Sequence, residues 1–183
     1  MDISLHLSTA SAERFDSLFQ YYSRKYELEQ LSLKLAGREF KIYHIRDIDP
    51  LLEELIGLGP ESPEMRDERL PYWAELWPAA IGLSQFILEN SVLCGNQTAI
   101  ELGCGVGLAG IAAASLGAEV MISDYQKDAL ALAELNWIIN IGRSPQAIRM
   151  DWRNLTIQEK FDNVIASDIV YEERFFHPII NNF

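Results

Sequence analysis

Thr98–Asp124, TAIELGCGVGLAGIAAASLGAEVMISD, decides the fold of this chain. It begins with TAIEL, an apolar run of strand length, which Gly103, Gly105 and Gly107 interrupt. An alanine-rich helix from near Leu108 follows, then a second strand, AEVMIS, that closes on Asp124. Strand, tight turn, helix and strand in this order make a parallel βαβ unit, and such a unit binds ligands where its first strand turns into its helix. Glycines in that turn let the backbone bend sharply and approach a ligand, while the helix start presents free N–H groups. Asp124 lies about 20 residues beyond the first glycine, where an acidic residue accepts hydrogen bonds from both hydroxyls of a ribose.

A ribose-containing cofactor is therefore expected, and the glycine spacing narrows its type. Dinucleotide sites use GxGxxG to seat a pyrophosphate on the helix start. Here the spacing is GxGxG, with Glu101 two residues before the first glycine. An acid facing the pocket disfavours a diphosphate and suits a ligand that carries an amine or a sulfonium.

Towards the C-terminus the alternation continues with a helix over about Gln126 to Asn140, a short strand AIRM, a loop from Asp151, an apolar strand FDNVIAS and then Asp168. Strands alternating with helices predict a parallel sheet covered by helices on both faces. Towards the N-terminus a helix is expected from near Pro78, burying Ile81, Leu83, Phe86 and Ile87. Trp73 and Trp77 precede it, and either wall a ligand or pack the helix onto the sheet. The polar, proline-bounded stretch PESPEMRDERLP (60–71) is the expected boundary between an N-terminal region, residues 1–70, and a main domain, residues 71–183. Within the first region the pattern predicts an amphipathic helix from Ser11, its N-cap, to about Gln30. A β-hairpin follows, turning at Ala36-Gly37, with Leu31, Leu33 and Leu35 on one face and Phe40, Ile42 and His44 on one face. A short helix comes after Asp49. His44 is read as a hydrogen-bonded strand residue and not as a ligand.

The 183 residues, 49% of them hydrophobic, suffice for one typical domain with an N-terminal addition. With 27 acidic against 15 basic residues the formal charge is −12, which argues against a nucleic-acid partner and favours a basic protein or a small molecule. Two cysteines, Cys94 and Cys104, do not make a disulfide framework, and no segment reaches the ~18 apolar residues of a membrane helix. A cytoplasmic protein without a membrane partner is expected. No residues are assigned as metal ligands.

ELGCGVGLAGIAA (101–113) resembles motif I of class I S-adenosylmethionine-dependent methyltransferases. LWPAAIGLSQFI (76–87), MDW (150–152) and SDIVYEERFFHPII (167–180) are similar, more narrowly, to the seven-strand protein-lysine methyltransferases grouped as methyltransferase family 16. The likeness runs from about Tyr72 to the end of the chain. It implies a Rossmann-like α/β fold with S-adenosyl-L-methionine as cofactor. By position, Glu101, Gly103 and Gly105 would line its methionine part, with Cys104 and Gly107 in the same turn, and Asp124 would hold the ribose. Asp151 would reach the adenine amino group, with Trp152 beside the ring and Trp77 closing the pocket opposite. Asp168 and Tyr171 would border the acceptor and orient a lysine amine. The residues alone leave other roles open: a turn carboxylate for Asp151, a strand-end cap for Asp168 and a packed phenol for Tyr171.

The resembled sheet has seven strands, whereas the sequence after FDNVIAS offers only the start of a helix. Strands five to seven are expected to be missing. That would leave FDNVIAS at a bare edge, in a fragment or in a chain whose exposed side an oligomer partner covers. The leading expectation for function is methylation of a lysine on a protein. Methylation of a small nitrogenous molecule of the nicotinamide type, and a non-catalytic cofactor-binding or interaction module, are the alternatives.

Overall fold

In the computed structural model, residues 7–67, 69–153, 157–170 and 173–182 are described. The first helix, α1 (Thr9–Lys25), starts ahead of the expected Ser11. Ser8 is the N-cap, its hydroxyl accepting from the Ser11 N–H at 3.1 Å. It also stops short of Gln30, because Leu28–Gln30 are already paired with Tyr43–Ile45 in the hairpin formed by β1 (Leu28–Leu35) and β2 (Arg38–Ile45). Strand pairing there overrides the helical spacing of the apolar residues. Ala36 and Gly37 both have positive φ, as a tight two-residue hairpin turn requires. His44 sits opposite Glu29, its Nε2 3.5 Å from the carboxylate, but that buried nitrogen makes no hydrogen bond among the described residues, contrary to expectation.

Two short helices, α2 (Asp49–Gly57) and α3 (Pro63–Arg66), lead through a 3-10 turn (Tyr72–Ala74) to α4 (Pro78–Glu89). Pro78 occupies the first turn of α4, where its missing N–H costs nothing. The buried face of α4 is Ala80, Ser84, Ile87 and Leu88; Phe86, expected inside, is 52% exposed. The helix turns small residues inward because it packs closely on a second helix, α5 (Leu108–Ala114).

The parallel sheet holds β3 (Thr98–Leu102), β4 (Glu119–Asp124), β5 (Gln146–Arg149) and β6 (Asn163–Ala166) in the order β5-β4-β3-β6. Among the described residues β6 is an edge strand, and Val164 on it is about half exposed. The order reverses between β4 and β6 around β3, which makes the end of β3 the switch point at which an open sheet binds ligands. Side chains alternate across β3. Ala99 and Glu101 face α5 and α6 (Lys127–Ile141), whereas Ile100 and Leu102 pack on the other face with Met150 and Ile169 and, from α7 (Glu173–Asn182), Ile179.

The hairpin and α1 do not stand apart from this unit. Tyr22, Ile42 and Ile45 share one apolar core with Leu108, Ile122 and Trp137, each worth about 1.5–3 kcal/mol when fully buried. Tyr22 also donates its hydroxyl to the Asp128 carbonyl at 2.7 Å, and Arg14 is ion-paired with Glu134 of α6.

Candidate active site

A cavity of about 340 Å³ opens at the C-terminal ends of β3, β4 and β6, a volume suited to a nucleoside-sized ligand. Its floor is the glycine turn. Gly103 has φ +59, and a Cβ there would lie 3.0 Å from both Ile169 and Trp152. Only glycine fits between those walls in that conformation. Gly105 and Cys104 also line the cavity; the Cys104 N–H donates to the Ser123 carbonyl at 2.9 Å, and burial pushes its thiol well above the ordinary range.

Asp124 ends β4 at the cavity wall. Its Oδ2 accepts from the Gly105 N–H at 3.1 Å and its Oδ1 from the Gln126 N–H at 2.9 Å. Burial nonetheless raises its pKa to about 6, with these N–H groups restraining the rise. The carboxylate is oriented and retains acceptor capacity, because each oxygen has two lone pairs.

Asp67 and residues of the segment 69–77 also line the cavity. Trp73 lines the cavity and also packs against the core, where its ring meets Tyr26 edge-on at 6.4 Å. Trp77 lines the mouth, its indole N–H donating to the Tyr72 carbonyl at 2.7 Å and its ring edge-on to Tyr72 at 5.5 Å. Asp151, Trp152 and Asp168 complete the wall. Asp168 has φ +58, a left-handed conformation uncommon in non-glycine residues and often found at functional sites. Tyr171 lies outside the described residues.

Glu101 and Gly107 are not part of this wall. The expectation that Glu101 faces the pocket fails on strand alternation: it shares a face with Ala99, so its carboxyl lies against Gly110, inside the helix layer. Burial pushes its pKa up to about 8. Gly107, with φ +81, caps α5 and lets it approach α6, since a Cβ would press on Ala133 at 3.1 Å. Conversely, Asp67, Arg69, Tyr125 and Arg153 line the cavity without having been anticipated. Tyr125 and Arg153 directly follow anticipated residues, but Asp67 and Arg69 belong to the stretch read as a boundary, and no local signal marks them.

The sequence model of a family described as lysine methyltransferase matches residues 69–183. The chain belongs to the lysine methyltransferase family. It is similar to the electron transfer flavoprotein beta subunit lysine methyltransferase of Mus musculus, 33% identical over 104 residues, which cover 56% of this chain and 40% of that protein. It is also similar to protein N-lysine methyltransferase METTL21A of Danio rerio, 38% identical over 120 residues, covering 62% of this chain and 55% of that protein. The chain thus spans about half the length of the curated relatives it matches. Among solved structures it shares its fold with the T. thermophilus 16S rRNA N2 G1207 methyltransferase, with a TM-score of 0.51 at 16% identity over 76% of this chain and 32% of that one. Methyltransferases of this family use S-adenosylmethionine, and the residues of the cavity fit such a ligand: a glycine floor, an oriented carboxylate at the end of β4 and indole walls. Among the described residues no helix is long and apolar enough to cross a membrane.

Proposed function

We propose that this cavity binds S-adenosylmethionine and that the chain transfers a methyl group from it to a lysine side chain of a protein. The observation that carries the reading is Asp124, an oriented, buried carboxylate beside the glycine turn at the switch point of the sheet. When bound, the cofactor supplies an electrophilic methyl on sulfur, so the protein's share is orientation and exclusion of water. In this reading Asp124 accepts from the ribose hydroxyls, Asp151 from the adenine amino group, and Trp152 and Trp77 flank the cavity. Gly103, Cys104 and Gly105 form the floor.

The acceptor lysine must lose its proton, against an ordinary pKa of about 10.4. Asp168, on the cavity wall, and Tyr171 orient the amine, while apolar surroundings favour its neutral form. The formal charge of −12 favours a basic acceptor segment. Residues 71–183 form the transferase unit in this proposal, with residues 1–70 as an addition docked on it, and a further chain covers the outer edge of β6. The two cysteines are unbridged, which fits a reducing, cytoplasmic setting.

The test has two stages. Calorimetry with S-adenosylhomocysteine and with NAD is expected to show binding of the first alone. Incubation with methyl-labelled cofactor and a cell extract is then expected to label protein. Label confined to small metabolites would replace the protein acceptor with a small nitrogenous one, and binding without any transfer would mark a cofactor-binding module.

A further inference from the structure

Arg153 follows Trp152 on the cavity wall and spans two carboxylates. Its backbone N–H and its Nε each donate to Asp151 Oδ1 at 2.9 Å, while Nε and Nη2 reach Asp151 Oδ2 at 3.0 and 2.6 Å. On its other side, Nη1 and Nη2 donate to Asp67, the latter at 2.8 Å to Oδ2. Asp67 comes from the segment after α3 and is held in turn by Arg69 Nε at 3.2 Å. The Arg69 guanidinium lies over the Tyr125 ring, 4.5 Å from its centre.

Two consequences follow for Asp151. Both of its oxygens are engaged by a planar fork that is itself anchored at the far end, so the carboxylate plane is fixed and cannot turn between cavity and solvent. Burial pushes its pKa up, but the hydrogen bonds from Arg153 outweigh this and hold the group below the ordinary carboxylate range, hence ionised and acceptor-only at neutral pH.

We propose that Arg153 is a positioning residue that sets Asp151 to read the exocyclic amino group of the cofactor's base, with Asp67 as its second anchor. This rests on the reading of the cavity as an S-adenosylmethionine site. Adenine offers a donor at that position, whereas hypoxanthine offers a carbonyl oxygen. A fixed, ionised carboxylate attracts the first and repels the second, so Arg153 contributes to base specificity through Asp151.

The experiment compares the affinities of S-adenosylhomocysteine and S-inosylhomocysteine by calorimetry for the intact chain and for Arg153→Met, Arg153→Lys and Asp67→Asn. The unchanged chain is expected to prefer the adenine form by about tenfold to 150-fold, the range of a charged hydrogen bond. Arg153→Met is expected to reduce that ratio to about twofold. Arg153→Lys restores only part of it, because an ammonium cannot engage two carboxylates as a fork. Asp67→Asn, which leaves Asp151 and Arg153 in place, falls between. A purely structural role would weaken both ligands equally and leave the ratio unchanged. A wild-type ratio in Arg153→Met therefore overturns the proposal. Absence of S-adenosylhomocysteine binding to the unchanged chain would overturn the cofactor reading itself, and is seen before any variant is compared.

Discussion

Asn136 of α6 holds Tyr43 of β2 as a neighbouring strand would. Its Oδ1 accepts from the Tyr43 N–H at 2.7 Å, and its Nδ2 donates to the Tyr43 carbonyl at 2.9 Å and to the Val106 carbonyl at 2.9 Å. One turn later Asn140 does the same for Lys41, with Oδ1 accepting at 3.0 Å and Nδ2 donating at 2.7 Å. The edge of β2 is thus closed by two amide side chains instead of by a third strand, which satisfies backbone groups and docks the hairpin on the sheet unit.

Asn136→Ala leaves buried donors and acceptors without partners, each at a cost of about 1–3 kcal/mol. The expected loss is about 3–5 kcal/mol in urea unfolding, with Asn136→Leu no better, because an isosteric apolar group cannot satisfy the Tyr43 peptide.

The carboxyl of Glu101 makes stability depend on pH. Burial puts its folded pKa at about 8, whereas the unfolded chain ionises near about 4.3. Between those values the folded state binds more protons than the unfolded one, so this group's contribution to stability falls as pH rises from about 4.5 to about 8, and levels off above. Glu101→Gln, which cannot ionise, is expected to show a flatter profile. Its stability relative to the parent should rise from pH 5 to pH 9 in denaturant titrations; a gap that stays constant would mean the group is not buried in protonated form.

In the proposed role at the ribose, Asp124 would set a second pH dependence, in binding. Its folded pKa is about 6, and ribose hydroxyls donate only to the ionised form efficiently. Affinity for S-adenosylhomocysteine is therefore expected to rise with pH up to about 6 and to stay level above it. Below pH 6 it falls up to about tenfold per unit, and binding there releases a proton that calorimetry in buffers of different ionisation heat can count. Asp124→Ala is expected to cost about 2–4 kcal/mol of binding, roughly 30- to 1,000-fold.

Asp168 should separate chemistry from cofactor binding. Asp168→Ala is expected to lower methyl transfer by about 10²-fold or more, in the range for a group that handles a proton or orients the nucleophile. S-adenosylhomocysteine affinity should change little, and retention of the full transfer rate would remove Asp168 from the acceptor site. Asp168→Asn keeps a residue type that tolerates the left-handed backbone, with φ +58, and so isolates the loss of charge from any loss of backbone geometry.

The sequence by itself determined the βαβ unit around Thr98–Asp124, because strand length, glycine turn and helical run are local patterns that depend only on neighbours along the chain. Its glycine turn and strand-end acid named Gly103, Gly105 and Asp124, and the family likeness, read by position, named Asp151, Trp152, Trp77 and Asp168; the fold brings all of them to one cavity. Tertiary structure decided what local pattern could not. Alternation put Glu101 on the face opposite Ile100 and Leu102, and the packing of α5 and α6 on that face buried it away from the cavity. The helix α1 ended before Gln30 because the hairpin claimed Leu28–Gln30 for strand pairing. Asp67 reached Arg153, a residue 86 positions away, through a stretch whose polar composition reads as a boundary, because ion pairs across a cavity are formed by folding and leave no periodicity in the chain.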